Sequence, residues 1–149
     1  MNILALDLGT TTGWCIGPFG GRPEHGFWQL KTSRFEGGGM RFLRFQKLLT
    51  SIHELSPADA VWYEEVRRHR GTDAAHVYGG LQATLTAWCE ERHIPYGAIP
   101  VGTIKRSATG KGNAGKAEVI EGVRKKGFDV TDDNEADAVA LWLCVQEKD

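Results

Sequence analysis

Apolar and polar positions change period several times along this chain, and each change marks an element. Residues 2–8 read NILALDL, a nearly continuous apolar run that predicts a buried strand carrying Asp7 at its end. Gly9, three threonines and Gly13 supply a turn, and WCIG at 14–17 begins an antiparallel return. Residues 18–26 are rich in Gly and Pro and read as a loop, while FWQLK at 27–31 alternates and predicts a third strand. After the triple glycine at 37–39 the spacing lengthens. Met40, Phe42, Leu43, Phe45, Leu48, Leu49 and Ile52 recur at i, i+3 and i+4, the pattern of an amphipathic helix, which Ser56-Pro57 ends.

AVWYEEV at 60–66 predicts a fourth strand, apolar until Glu64, and RRHRGTD at 67–73 a polar, basic loop. A second long helix is expected over 74–92, with Gly79 and Gly80 opening one face to close approach by another helix or chain. A fifth strand is expected over 95–102, then a short helix or turn from Thr103. Another helix follows GNAGK and closes at Gly127, and Asp132 or Asp133 caps a last one over 134–146. The order is βββαβαβαα. It predicts an α/β domain spanning 1–149, with a mixed five-stranded sheet flanked by helices.

Charge changes this picture only locally. The net charge of −1 is no global signature of nucleic-acid binding. Residues 101–127, however, carry Lys105, Arg106, Lys111, Lys116, Arg124, Lys125 and Lys126 against Glu118 and Glu121. Residues 128–149 carry Asp129, Asp132, Asp133, Glu135, Asp137, Glu147 and Asp149 against Lys148. A basic block beside an acidic one suits a phosphate chain held next to bound cations. Cys15, Cys89 and Cys144 lack metal-binding spacing and read as reduced core thiols of a cytoplasmic protein. Met1-Asn2 leads straight into a strand, so no secretory leader is expected, and no apolar run approaches membrane-spanning length. The five tryptophans are assigned to the core. His25, His53, His76 and His93 are assigned to the surface; His69, just after the fourth strand, alone is a candidate for the site.

The carboxylates carry the chemistry. Asp7 and Glu64 end strands, and Asp137 sits one turn into the last helix, with Asn134 and Asp133 three and four residues before it on the same face. Hard divalent cations prefer such oxygen ligands. A pair of them roughly 4 Å apart clamps attacking water and leaving oxygen in phosphodiester hydrolysis. The Asp-Leu-Gly-Thr-Thr turn is also similar to the phosphate-binding turn of sugar kinases, actins and chaperone ATPases. That resemblance implies two α/β domains around a nucleotide. The chain is expected to hold one and has no second such turn, so no nucleotide cofactor is expected.

Over nearly its whole length the chain resembles RuvC-type Holliday-junction resolvases of the RNase H-like superfamily. The matching stretches are ILALDLGTTTGW, VWYEEV, IKRSATGKGNAGKAEVI and DNEADAVAL. The resemblance implies an RNase H-like fold. It implies a homodimeric endonuclease that resolves four-way junctions by paired nicks leaving 5′-phosphate ends, with two Mg2+ per site, for which Mn2+ can substitute. Asp7, Glu64 (rather than Glu65), Asn134 and Asp137 would bind the metals. Lys116 would join them in catalysis, and Lys105 and Lys116 would match the family's two lysines near the scissile phosphate. Lys111 and the loop residues Arg67, Arg68 and Arg70 would add DNA contacts, and the helix at 74–92 would form the dimer interface.

Two departures stand out. Asn134 occupies a position that is usually acidic or His, and Arg67-Arg68-His69-Arg70 replaces a loop that often carries an aromatic wedge. The altered loop and compact size resemble phage or prophage members. The alternatives are a related nuclease acting on other branched DNA or structured RNA, and a junction-binding protein without catalysis.

Overall fold

A computed structural model describes residues 1–69 and 71–147. Its elements, in chain order, are β1 (Asn2–Asp7), β2 (Thr11–Pro18), β3 (Glu24–Gln29), α1 (Gly39–Leu55), β4 (Ala60–Glu65), α2 (Thr72–Glu91), β5 (Tyr96–Pro100), α3 (Val101–Thr109), α4 (Lys116–Lys125) and α5 (Asp133–Glu147). One five-stranded sheet runs in the order β3-β2-β1-β4-β5. β1, β2 and β3 are antiparallel neighbours, whereas β4 runs parallel to both β1 and β5. The mixed sheet and its helices are those the hydrophobic periods predict.

β1 is central, which is why its sequence is apolar without alternation. Strand geometry sends successive side chains to opposite faces. Ile3 and Ala5 join Cys15, Ile99 and the buried face of α5, together with Ile104 of α3 and Val119 and Val123 of α4. Leu4 and Leu6 join Phe45 and Leu49 of α1 and Leu81, Leu85 and Trp88 of α2. Asp7 continues the parity of Ile3 and Ala5, so the same alternation turns it toward α5.

α5 is buried nearly all round from Ala136 to Val145, because it lies on the sheet between α3 and α4. Its first turn sits unusually close to β2. A Cβ built on Gly13 would lie 1.9 Å from the Asn134 carbonyl oxygen, so only glycine fits there. The β1–β2 turn is closed from inside by Thr12, whose buried hydroxyl donates to the Gly9 carbonyl at 2.8 Å.

Two expectations need correction. The segment 18–26 is not all loop: β3 begins at Glu24, with Ile16 opposite Glu24 and Cys15 opposite His25. Cross-strand pairing with β2 overrides the Gly and Pro signals there. The fifth strand stops at Pro100, and Val101 and Gly102 already belong to α3. Gly80 does admit the close approach expected of it, by a helix of the same chain: a Cβ there would come within 2.5 Å of the Phe42 ring of α1. The tryptophans do pack in the two cores.

The contact at Gly13 is directly testable. Gly13→Ala should lower stability by about 3 kcal/mol, because backbone rather than a movable side chain blocks the new methyl. Gly79→Ala has nothing within 4 Å to meet and should stabilise the helix by up to about 1 kcal/mol. Urea unfolding of both variants, read by circular dichroism, checks the pair.

Candidate active site

Three elements deliver three carboxylates to one point. The parallel register places Leu6 opposite Tyr63, so Asp7 and Glu64 follow as neighbours at the ends of adjacent strands. Asp137 comes down from the first turns of α5. One oxygen from each lies within 4.8 Å of the others. Glu65 points to the other side of β4, where its carboxylate accepts from Arg67 Nε at 2.6 Å. The geometry thus favours Glu64 over Glu65.

Electrostatically this is a costly place for negative charge. Burial pushes the Asp7 carboxyl well above its usual range, and Glu64, Asp137 and Asp133 push it further. Asp7 also shares a hydrogen bond with Glu64 that keeps the proton on Asp7. Glu64 is itself raised by burial, with partial relief from that bond and from Lys105. Asp137 is raised to about 7 by burial, Glu64 and Asp133, against the opposing pull of Lys105 and Lys116. Two lysines at a distance do not neutralise the cluster. A divalent cation fits it: the donors are hard oxygens, they converge, and their repulsion is relieved by binding.

The basic residues divide by position. Lys105, half-buried on α3, acts on both Glu64 and Asp137. Lys116 begins α4 and extends a mostly exposed side chain whose Nζ lies 3.3 Å from Asp133 Oδ2. Lys111 pairs instead with Glu118 Oε2 at 3.2 Å, and Glu118 also accepts from the Gly115 amide at the start of α4. Arg67 and Arg68 are exposed at the mouth of a groove shared with Pro100, Val101 and Gly102. Arg70 lies outside the described residues.

Asp133 is the acidic group of α5's first turn that acts on Asp7 and Asp137 and pairs with Lys116. Asn134 is half-buried beside it, and its carbonyl rests over Gly13.

Supporting residues were harder to find in the sequence. Tyr78 of α2 donates its hydroxyl proton to the Glu64 carbonyl at 2.7 Å and accepts from the Val66 amide at 3.2 Å. It thereby fixes the strand end that carries Glu64. His69 packs against the same ring, with centroids 5.0 Å apart. His25 is not a surface residue without a partner: its Nδ1 lies 2.5 Å from Glu135 Oε2 and ties β3 to the first turn of α5. His53 also has a structural task, accepting from the Ala58 amide at 3.0 Å and packing edge-on against Trp88. Some of these partners, His25 and Glu135 above all, are remote in sequence, and no short motif announces them.

The raised carboxyl values set a pH dependence. In the folded, metal-free protein these groups keep protons that the unfolded chain has released between about pH 4 and 7. The folded state therefore binds more protons in that window, and stability falls as pH rises through it. The metal-free protein should melt higher at pH 5 than at pH 8. Asp137→Asn should shrink the difference, and added Mg2+ or Mn2+ should raise the melting temperature more at pH 8. Separately, Tyr78→Phe leaves the Val66 amide and Glu64 carbonyl without that partner and should cost about 1–3 kcal/mol in denaturant unfolding.

No protein-family model matches the sequence, and no curated protein matches it. Solved structures do match. Thermus thermophilus RuvC in complex with a Holliday junction substrate superposes with a TM-score of 0.80 at 24% identity, covering 97% of this chain and 92% of that one. A second T. thermophilus RuvC structure gives 0.77 at the same identity and coverage. The yeast mitochondrial Holliday junction resolvase Ydc2 gives 0.63 at 15% identity, over 98% of this chain and 79% of that one. The architecture built here from β1 to α5 is therefore the RuvC/RNase H-like fold.

Proposed function

We propose that this protein is a structure-specific, metal-dependent endodeoxyribonuclease that nicks four-way DNA junctions. One observation carries the reading. Asp7, Glu64 and Asp137, distant in sequence, meet within 4.8 Å in a fold shared with a resolvase solved on a Holliday junction. Asp7 would hold metal together with Glu64 on the neighbouring strand and Asp137 of α5. Asp133, or Asn134 through its amide oxygen, completes the set from α5. Two Mg2+ ions, or Mn2+ in their place, would supply the activation of water and the neutralisation of charge that phosphodiester hydrolysis requires.

The chain's own residues do the rest. Lys116 is held by Asp133 beside the cluster and is long and exposed enough to swing onto a phosphate oxygen. Lys105, half-buried on α3, lowers the cost of gathering the carboxylates. Arg67 and Arg68 border the same end of the sheet and grip flanking phosphates, with Arg70 following in sequence. In-line attack of water on phosphorus leaves 5′-phosphate and 3′-hydroxyl ends. A homodimer would present two such sites for paired nicks, and α2 is the proposed contact helix. A cytoplasmic location accords with three buried thiols. Among the described residues, no helix is long and apolar enough to cross a membrane.

The test uses a labelled synthetic four-way junction, a linear duplex and a single strand, each with Mg2+ and with EDTA. Paired nicks are expected in the junction alone and only with metal. Asp7→Asn should abolish them, and Lys116→Ala should slow them about 100-fold. Comparison of Asp133→Asn with Asn134→Ala shows which residue completes the metal site. Tight junction binding without cutting at any metal concentration would convert the reading to a junction-binding protein. Cutting of every substrate would remove junction specificity, and neither binding nor cutting would sink the proposal.

A further inference from the structure

The β3–α1 loop holds an exposed aromatic that the fold itself does not use. Phe35 is 86% exposed, and the Arg34 guanidinium lies over its ring, 5.0 Å from the centroid. Isolated exposed apolar side chains are common, so exposure alone decides nothing. Three further observations give this one a purpose.

First, the loop sits at the catalytic end of the sheet. β3 is antiparallel to β2, which is antiparallel to β1, so β3 and β1 end on the same side. The Leu30 amide donates to the Thr10 carbonyl at 2.7 Å, which anchors the loop's start to the turn after Asp7. Two strand spacings, roughly 10 Å, separate the end of β3 from that of β1. Lys105 and Lys116 approach from α3 and α4 over β5 and α5, whereas this loop stands at the opposite edge.

Second, the loop is built to present Phe35. The Ser33 amide donates to Glu36 Oε1 at 2.9 Å, and the Glu36 amide returns to the Ser33 carbonyl at 3.2 Å. The Phe35 amide donates to Ser33 Oγ at 3.3 Å. Arg44 of α1 pairs with Glu36, and Arg41 Nε donates to the Leu30 carbonyl at 3.0 Å. Gly37, Gly38 and Gly39 follow. None has positive φ, and an added Cβ at any of them would meet nothing within 4 Å. The observed conformation does not demand glycine there. Three in a row instead leave a loose joint between a self-braced tip and α1.

Third, the surroundings are cationic. From 31 to 44 the chain carries Lys31, Arg34, Arg41 and Arg44 against Glu36 alone, and Glu36 is engaged by Arg44. A self-contact about a twofold axis would bring like charges together, which disfavours a second copy as occupant. A phosphate chain is attracted to such a surface, and a planar ring beside a planar guanidinium offers a face to a nucleobase. Bases inside a duplex have both faces covered. Only a base freed at a branch point or in a single strand can use this one.

We propose that Phe35, backed by Arg34, is a stacking platform for an unstacked base of branched DNA bound across the carboxylate site. The inference rests on the junction-nuclease reading above and adds the place where the chain senses unpaired bases.

The experiment follows a four-way junction carrying 2-aminopurine at its crossover, in EDTA so that nothing is cut. Anisotropy gives affinity and fluorescence gives unstacking, with a linear duplex as control. The wild-type protein should prefer the junction and brighten the probe. Phe35→Ala should weaken junction binding about 5- to 100-fold and remove the brightening, with duplex binding unchanged. Phe35→Trp should restore both. Melting temperature and sedimentation of both variants should match the wild type. A junction-selective wild type indifferent to Phe35→Ala overturns the stacking platform and leaves the nuclease reading standing. Sedimentation showing that Phe35→Ala dissociates a dimer reassigns the residue to a protein contact. No preference for junction over duplex in the wild type defeats both readings together.

Discussion

Repulsion among Asp7, Glu64 and Asp137 is the force that the rest of this structure works against. Their oxygens sit within 4.8 Å of one another on half-buried residues, where charge is expensive. Left to themselves, such groups separate or hold protons. Two parallel strands and one helix prevent separation, and the hydrogen bond between Asp7 and Glu64, which favours a proton on Asp7, eases the repulsion. A divalent cation would relieve that repulsion, because its charge offsets three clustered oxygens that the strands and helix keep together.

Much of the fold reads as bracing for that cluster. Burial of α5 between α3, α4 and the sheet fixes Asp137 in height, and the absent side chain at Gly13 lets the helix start close enough to β1. His25 and Glu135 tie the same turn to the edge strand. Tyr78 fixes the end of β4, and Thr12 closes the turn after Asp7. Each brace is a single hydrogen bond, ion pair or close contact, modest alone. Together they hold three like charges in place through apolar packing remote from the charges themselves.

The basic residues extend this logic outward. Lys105 remains half-buried among the carboxylates, while Lys116 is exposed and tethered only by Asp133. The first suits permanent compensation and the second a contact that forms with substrate. The cations around Phe35 stand at the far edge of the sheet, so a nucleic acid crossing the site would meet positive charge on either side of the acidic centre.

The sequence by itself determined the elements and the identity of the principal carboxylates. The apolar run ending at Asp7, the run ending at Glu64 and the helix opening around Asp137 are local patterns, and local patterns follow from strand and helix periods. The family resemblance rested on those same stretches, and the fold it implies is the one observed, shared with T. thermophilus RuvC at 24% identity. Only the tertiary structure decided what depends on pairing across distance. β3 begins at Glu24 because β2 lies beside it, Gly80 is filled by Phe42, and Asp133 reaches the acidic cluster while Lys111 turns to Glu118. Likewise His25, far from Glu135 in the chain, becomes its partner only once β3 lies beneath α5. The physical reason is the same in each case. A side chain's period announces which way it points, but what it meets there is set by the packing of segments that the sequence does not place side by side.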